Sequence, residues 1–187
     1  MFIFLTGPQG AGKTTACWRV LPGLRSQGIK IAGFVSPPLL DANGSKVGIQ
    51  MVDLATGQNH TFARVVAAGE VADVGVYQLV EGAVAWAQRV LATALSSDVD
   101  WLVIDEIGPL ELHQGRGFAF ALDALADPLR VPNAIVIVRE YLLNELAERL
   151  GRYDMITLRI TPANRAEVSA QLVRLVLATR AENNRGG

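Results

Sequence analysis

The residues from Gly7 to Thr14 have the types and spacing that bind phosphate. They are Gly7, Pro8, Gln9, Gly10, Ala11, Gly12, Lys13 and Thr14, and they fit the pattern G-x-x-x-x-G-K-[ST]. In this pattern the glycines let backbone N–H groups turn inward toward phosphate oxygens. Lys13 would place a mobile positive charge on the β- and γ-phosphates, and the Thr14 hydroxyl would ligate Mg²⁺. The segment predicts a binding site for a nucleotide phosphate chain.

An acidic pair, Asp105-Glu106, forms a second candidate site, directly after the apolar run 101–104. Ligands of a parallel sheet bind at the carboxyl ends of its strands, so we expect this pair near the phosphate-binding segment. Asp105 suits a supporting role at Mg²⁺, and Glu106 suits a general base that positions an attacking water. A group that positions water favours hydrolysis, because a kinase must instead exclude water and bind an acceptor.

Composition limits the classes of protein to which this chain could belong. The 187 residues carry a formal net charge of −1, and 50% of them are hydrophobic. A chain of this length suits one domain, predicted here to span 1–187, and its charge gives no strong nucleic-acid signature. Since no stretch approaches about 18 uninterrupted apolar residues, we expect no membrane span. Cys17 is the single cysteine, which predicts a reduced, cytoplasmic protein, and a monomer is the default expectation.

The elements that must position these residues follow from the hydrophobic pattern. Continuous apolar runs predict strands at 2–6, 31–36, 101–104, 134–138 and 155–160. Amphipathic segments alternate with these runs, which indicates an α/β fold with a parallel sheet covered on both faces. Residues 37–65 predict a β-hairpin insertion, 66–76 a loop, and 78–95 a long helix. Pro22-Gly23 should kink or end the first helix, and Thr161 should cap the last one.

Three further polar residues follow predicted strands and so belong to the same edge of the sheet. Arg139 follows the fourth strand and could bind the γ-phosphate or stabilise transition-state charge. Alternatively, it forms a surface pair with Glu140 or is the residue at which a helix begins. Asn164 and Arg165 follow the fifth strand and could contact the nucleobase or ribose. Alternatively, Asn164 caps a helix and Arg165 is solvated. Glu111 is expected to fix the loop after the acidic pair.

Three segments resemble the cancer-related nucleoside-triphosphatase family. They are residues 7–15, the run Val-Ile-Asp-Glu-Ile-Gly-Pro-Leu-Glu-Leu at 103–112, and Thr-Pro-Ala-Asn-Arg at 161–165. The similarity covers nearly the whole chain. It implies a three-layer P-loop NTPase fold with a RecA-like parallel sheet of order 5-1-4-3-2 and a hairpin insertion after strand 2. It also implies slow, Mg²⁺-dependent hydrolysis of ATP, GTP and other triphosphates.

The same resemblance implies roles for individual residues. The segment from Gly7 to Thr15 would hold the phosphates, Asp105 would support the metal, and Glu106 would activate water. Two positions depart from the family. The hairpin stretch 36–41, Ser-Pro-Pro-Leu-Leu-Asp, lacks the arginine usually found there, and the fourth strand ends in Arg139-Glu140 in place of a threonine-like residue.

Two other functions remain open at this stage. The first is a P-loop kinase of a small-molecule or nucleic-acid acceptor, with the hairpin as acceptor platform. The second is a nucleotide-dependent switch or interaction module, with 66–76 as a candidate mobile segment. The chain has no arginine-rich lid segment and no length for a separate acceptor domain, so we rank hydrolysis above kinase activity.

Overall fold

A single mixed sheet of nine strands organises the computed structural model, which describes residues 1–67, 69–73, 75–152 and 154–183. The strands are β1 (Phe2–Thr6), β2 (Ile31–Val35), β3 (Pro38–Leu40), β4 (Lys46–Asp53), β5 (Asn59–Val65), β6 (Tyr77–Leu79), β7 (Trp101–Ile107), β8 (Ala134–Val138) and β9 (Met155–Arg159). The helices are α1 (Lys13–Ser26), α2 (Ala83–Leu95), α3 (Pro109–Gln114), α4 (Leu122–Ala126), α5 (Leu143–Leu150) and α6 (Arg165–Asn183). Within these described ranges, no helix combines the length and apolarity needed to cross a membrane.

Five parallel strands form the part of the sheet that carries the candidate site. Their order is β9-β1-β8-β7-β2, which is the order 5-1-4-3-2 expected for the five predicted strands. The strands of the predicted hairpin insertion extend this sheet and make it mixed, because β4, β5 and β6 continue it in antiparallel pairing and β3 pairs with β4. The hairpin strands join the free edge of β2, where Phe34 pairs with Asp53, and so satisfy an edge that would otherwise be exposed.

Helices cover both faces of the parallel strands, which makes the three layers that were predicted. In β1, Phe2 and Phe4 pack on the face covered by α2, α4 and α5, while Ile3 and Leu5 pack on the face covered by α1 and α6. All four side chains are at most 1% exposed. Burial on both faces explains why these strands are continuous apolar runs instead of alternating ones.

Several boundaries differ from the predictions. The helix expected over 78–95 begins at Ala83, because 77–79 forms β6 and pairs with β5. Helix α1 continues through Pro22 to Ser26; Pro22 lies on the exposed face, where the carbonyl that loses its partner can be hydrated. Thr161 does not cap α6, which begins at Arg165. The described residues of 66–76 form turns and bends, as expected for a loop, and residues 68 and 74 lie outside the described ranges.

Gly33 provides a test of the close packing between β2 and β7. Its φ is +101°, and an added Cβ would lie 2.0 Å from the Val103 carbonyl oxygen. We expect Gly33→Ala to lower the free energy of unfolding by about 2–4 kcal/mol, measured by urea denaturation. The matched control is Gly23→Ala in α1, where an added Cβ meets no atom within 4 Å. That change should be neutral or stabilise by about 0.5–1 kcal/mol. Equal midpoints for Gly33→Ala and wild type would contradict the packing described here.

Candidate active site

The predicted phosphate-binding segment forms the turn between β1 and α1. Gly7 has φ +136°, and an added Cβ would lie 2.2 Å from the Ile160 carbonyl oxygen, so only glycine fits there. Gly12 precedes α1 with φ +92° and has no side chain to cap the helix. The N–H groups of the first turn of α1 are therefore left for another acceptor, and a helix N-terminus of this kind favours an anion.

Lys13 lies across this loop. Its Nζ donates hydrogen bonds to the carbonyl oxygens of Gly7, at 2.9 Å, and Pro8, at 3.0 Å. Pro8, Gln9 and Gly10 are exposed at the tip of the loop, whereas Ala11 is buried. The loop thus keeps the ammonium at its centre by means of its own carbonyl groups, within reach of the space that the loop surrounds.

Asp105 lies near the end of β7, which extends to Ile107 and so includes the acidic pair. The carboxyl group is 4% exposed, and its Oδ2 accepts a hydrogen bond from the Ser36 N–H at 2.9 Å. Burial raises the pKa of Asp105 to about 6, although the Ser36 N–H, the Thr14 side chain and the charge of Lys13 each act to lower it. The structure therefore brings Asp105 together with Thr14 and Lys13, as the sequence predicted.

Glu106 points to a different neighbour. Its Oε1 lies 2.9 Å from the Nε of Arg139, which follows β8, the strand beside β7. The two side chains are 33% and 50% exposed, so this carboxylate is much more open to water than that of Asp105. The alternative of a surface pair between Arg139 and Glu140 is wrong. Arg139 pairs with Glu106, and Glu140 pairs with Arg159.

Asn164 uses its amide group within its own turn. The Oδ1 accepts hydrogen bonds from the Thr161 N–H at 2.7 Å and from the Thr161 hydroxyl at 3.1 Å. The Nδ2 donates to the Arg159 carbonyl oxygen at 3.0 Å. These bonds order the turn before α6. They differ from the predicted helix cap, because none of the hydrogen bonds described for the Asn164 side chain runs to an N–H group of α6.

Arg165 lies against the phosphate loop. Its Nε donates to the Ala11 carbonyl oxygen at 3.0 Å, and an added Cβ on Gly12 would lie 2.6 Å from the same nitrogen. The guanidinium is therefore packed on the loop backbone and is not simply solvated. The absence of a side chain at Gly12 is what allows this approach.

Glu111 organises the loop that follows the acidic pair, as expected. Its Oε2 accepts a hydrogen bond from the Gly108 N–H at 2.8 Å, and its Oε1 accepts one from the Phe118 N–H at 3.1 Å. The residue is 6% exposed, and burial raises the pKa of its carboxyl group, against the effect of the two N–H donors. Glu111 thus joins both ends of the 108–118 segment and has no contact with the phosphate loop in the hydrogen bonds described.

Sequence reasoning missed three residues at this edge. Ser36 holds Asp105 through its N–H, and Glu140 and Arg159 form an ion pair beside the loop. All three lie at or just after the ends of predicted strands. The rule that singled out Arg139, that ligands bind at the carboxyl ends of parallel strands, applies to them equally.

Comparison with known proteins identifies the family. A family model described as NTPase matches residues 2–173. This chain belongs to the NTPase family. Among its relatives, the nucleoside-triphosphatase THEP1 of Methanopyrus kandleri is 32% identical over 178 residues, which are 94% of each chain. The protein of the same name from Thermofilum pendens is 35% identical over 171 residues, covering 91% of this chain and 92% of the relative.

A solved structure supports the fold alone. The crystal structure of THEP1 from Aquifex aeolicus matches with a TM-score of 0.70 at 21% identity, and the match covers 94% of this NTPase and 99% of that chain. The P-loop NTPase fold predicted from sequence is therefore confirmed. The family-model match likewise confirms the resemblance to nucleoside-triphosphatases.

The role of Glu111 can be tested by removing its carboxyl group. Glu111→Ala leaves the buried N–H groups of Gly108 and Phe118 without their acceptor, so we expect the free energy of unfolding to fall by about 2–4 kcal/mol. Chemical denaturation measures this change. The control is Glu148→Ala on the exposed face of α5, which should stay within about 0.5 kcal/mol of wild type. An equally small effect for Glu111→Ala would show that the loop does not depend on this carboxylate.

Proposed function

We propose that this NTPase hydrolyses ATP, GTP and other nucleoside triphosphates to the diphosphate and phosphate, slowly and with little preference among bases. The observation that carries the proposal is the placement of Glu106. Its carboxylate is partly exposed at the end of β7, next to an Asp105 that contacts the phosphate loop. The family match and the names of the relatives support hydrolysis as the reaction.

The phosphate chain would be held by the segment from Gly7 to Thr15. Backbone N–H groups at the start of α1 would bind its oxygens, and Lys13 would exchange the carbonyl oxygens of Gly7 and Pro8 for the β- and γ-phosphates. Because the loop is fixed by packing at Gly7 and Gly12, the donors would already be oriented when the nucleotide arrives. This fixed orientation is what lets them stabilise charge without reorganising.

Glu106 would act on the attacking water. Its carboxylate would orient the water and take one of its protons while the water oxygen forms a bond to the γ-phosphorus and the bond to the β-phosphate oxygen breaks. Arg139 would first have to release Glu106, after which its guanidinium could stabilise the charge that develops on the γ-phosphate.

The residues around Asp105 fit Mg²⁺. The Thr14 hydroxyl donates a hydrogen bond to the Asp105 carboxylate. Both groups offer oxygen atoms, and oxygen is the ligand atom that Mg²⁺ prefers. The described residues contain no cluster of three or more acidic, His or Cys side chains that could hold a metal, so phosphate oxygens and water would complete the coordination. When bound, the ion would neutralise charge on the phosphate oxygens.

Broad base specificity agrees with the contacts after β9. The amide of Asn164 is already bonded to Thr161 and Arg159, so a contact with the base would require these hydrogen bonds to break. Arg165 borders the phosphate loop at Gly12, where it could contact the ribose or the nearer phosphates. A direct contact of Asn164 with the nucleotide stays a prediction.

We also propose that residues 1–187 act as one nucleotide-binding domain, as a cytoplasmic monomer. The nine strands of the described residues belong to one sheet, and the hairpin strands are part of it, with Met51 only 1% exposed. Cys17 is a free, buried thiol in α1, which is consistent with a reducing compartment.

Glu106→Gln tests the proposed base. The amide keeps the shape of the side chain but cannot take a proton, so we expect kcat for ATP and GTP to fall by about 100-fold or more. The Kd for the same nucleotides should stay within about threefold of wild type. Phosphate release measures the first quantity and calorimetry the second. Glu148→Gln on the exposed face of α5 is the control and should behave as wild type.

Two results would contradict this proposal. Wild-type hydrolysis by Glu106→Gln would remove Glu106 as the base. Faster transfer of labelled γ-phosphate to an added acceptor than to water would favour the alternative of a kinase.

Arg139→Gln tests the second proposed role. Loss of the guanidinium should lower kcat by about 10–100-fold with little change in the Kd for ATP, because the charge it stabilises develops only in the transition state. Arg89→Gln, an exposed arginine on α2, is the control. If Arg139→Gln instead raises kcat, the ion pair with Glu106 is only inhibitory and the arginine has no catalytic role.

A further inference from the structure

The ion pair between Glu140 and Arg159 crosses the strand that carries the phosphate loop. Glu140 follows β8 and Arg159 ends β9, and these two strands are not neighbours, because β1 lies between them. The Arg159 Nε lies 2.5 Å from Glu140 Oε1, and its Nη2 lies 3.4 Å from Oε2. The pair therefore spans the carboxyl end of β1, the point at which the chain enters the phosphate loop.

The charges of this pair are open to solvent at the edge of the sheet where β1 ends. The side chains of Arg159 and Glu140 are 55% and 46% exposed, so water and ions reach both. Arg159 holds the pKa of Glu140 below its usual value, and the charge of Lys13 acts in the same direction, so Glu140 is negatively charged. A polyphosphate entering the loop would bring further negative charge to this point.

We propose that Arg159 is a phosphate-chain binding residue and that Glu140 is its competitor: in the free protein Glu140 holds Arg159, and a bound triphosphate takes the guanidinium from it. The inference rests on the proposed function, since it needs a triphosphate in the loop. In this proposal Arg159 is a second cation, besides Lys13, that binds the phosphate chain, and Glu140 is an acidic residue that lowers the affinity for it.

The energetics allow this exchange. Exposed ion pairs contribute little to stability, so separating Arg159 from Glu140 costs the fold little. A guanidinium can bind either a carboxylate or a phosphate, because its planar N–H groups donate to two oxygen atoms at once. A triphosphate also carries more negative charge than a single carboxylate. Glu140, left without Arg159, would then repel the ligand. Substitution by an uncharged residue would remove this repulsion.

The test measures the Kd of inorganic tripolyphosphate and of ATP by calorimetry. Arg159→Gln should weaken binding of both by about tenfold, as expected for the loss of a charged hydrogen bond. Glu140→Gln should strengthen binding of both by about threefold or more, because it frees Arg159 and removes a negative charge. Opposite signs are the decisive feature, since a pair that only braces the loop would weaken binding when either partner is changed.

A matched ion pair supplies the control. Arg149 and Asp123 form an exposed arginine–carboxylate pair at 2.5 Å between α5 and α4. Arg149→Gln and Asp123→Asn should each leave both Kd values within about twofold of wild type. Lys13→Ala should abolish binding of both ligands.

Each outcome has a distinct meaning. If wild type binds neither tripolyphosphate nor ATP, the proposed function fails and this inference fails with it. If wild type binds, Lys13→Ala does not, and Arg159→Gln binds as tightly as wild type, only the inference about Arg159 is overturned. Weaker binding by both Arg159→Gln and Glu140→Gln would also overturn this inference. It would show that the ion pair only stabilises the structure around the loop.

Discussion

Strand β1 lies in parallel register between β8 and β9, and this pairing places the candidate active site. Because parallel strands end at the same edge, the pairing brings Thr6, Val138 and Arg159 to one level, and the phosphate loop leaves the sheet between the other two strand ends. Helices bury both faces of β1, so the loop begins from a strand that is packed on both sides. The position of Lys13 follows from that fixed starting point.

Charged side chains alternate along this edge of the sheet. Glu106 lies near the end of β7, Arg139 and Glu140 come directly after β8, and Arg159 ends β9. Each arginine is held by a carboxylate that a phosphate group could replace. The free protein therefore balances its own charges at the place where a strongly anionic substrate would bind, and exchange of partners becomes a natural consequence of binding.

The carboxyl groups of the site differ in exposure, and exposure separates their chemistry. Asp105 and Glu111 are 4% and 6% exposed and are held by backbone N–H groups, which suits fixed structural or metal-supporting roles. The Glu106 side chain is 33% exposed, so water can reach it. The pairing of β7 with β8 shifts register between Asp105 and Ile107, where the two acids lie. The Asp105 carboxylate accepts a hydrogen bond from the Ser36 N–H, whereas the Glu106 carboxylate pairs with Arg139.

The sequence by itself determined the five parallel strands, most of their helices and the two segments proposed to carry the chemistry. These features are local. They can be predicted because each depends on neighbouring residues in the chain: glycine spacing before a lysine, apolar runs, and acids at a strand end. Only the tertiary structure decided that Arg139 pairs with Glu106, that Arg159 reaches Glu140 across β1, and that Arg165 packs on the loop at Gly12. Those contacts join residues from 19 to 154 positions apart, and strand order, which no local pattern encodes, brings them together.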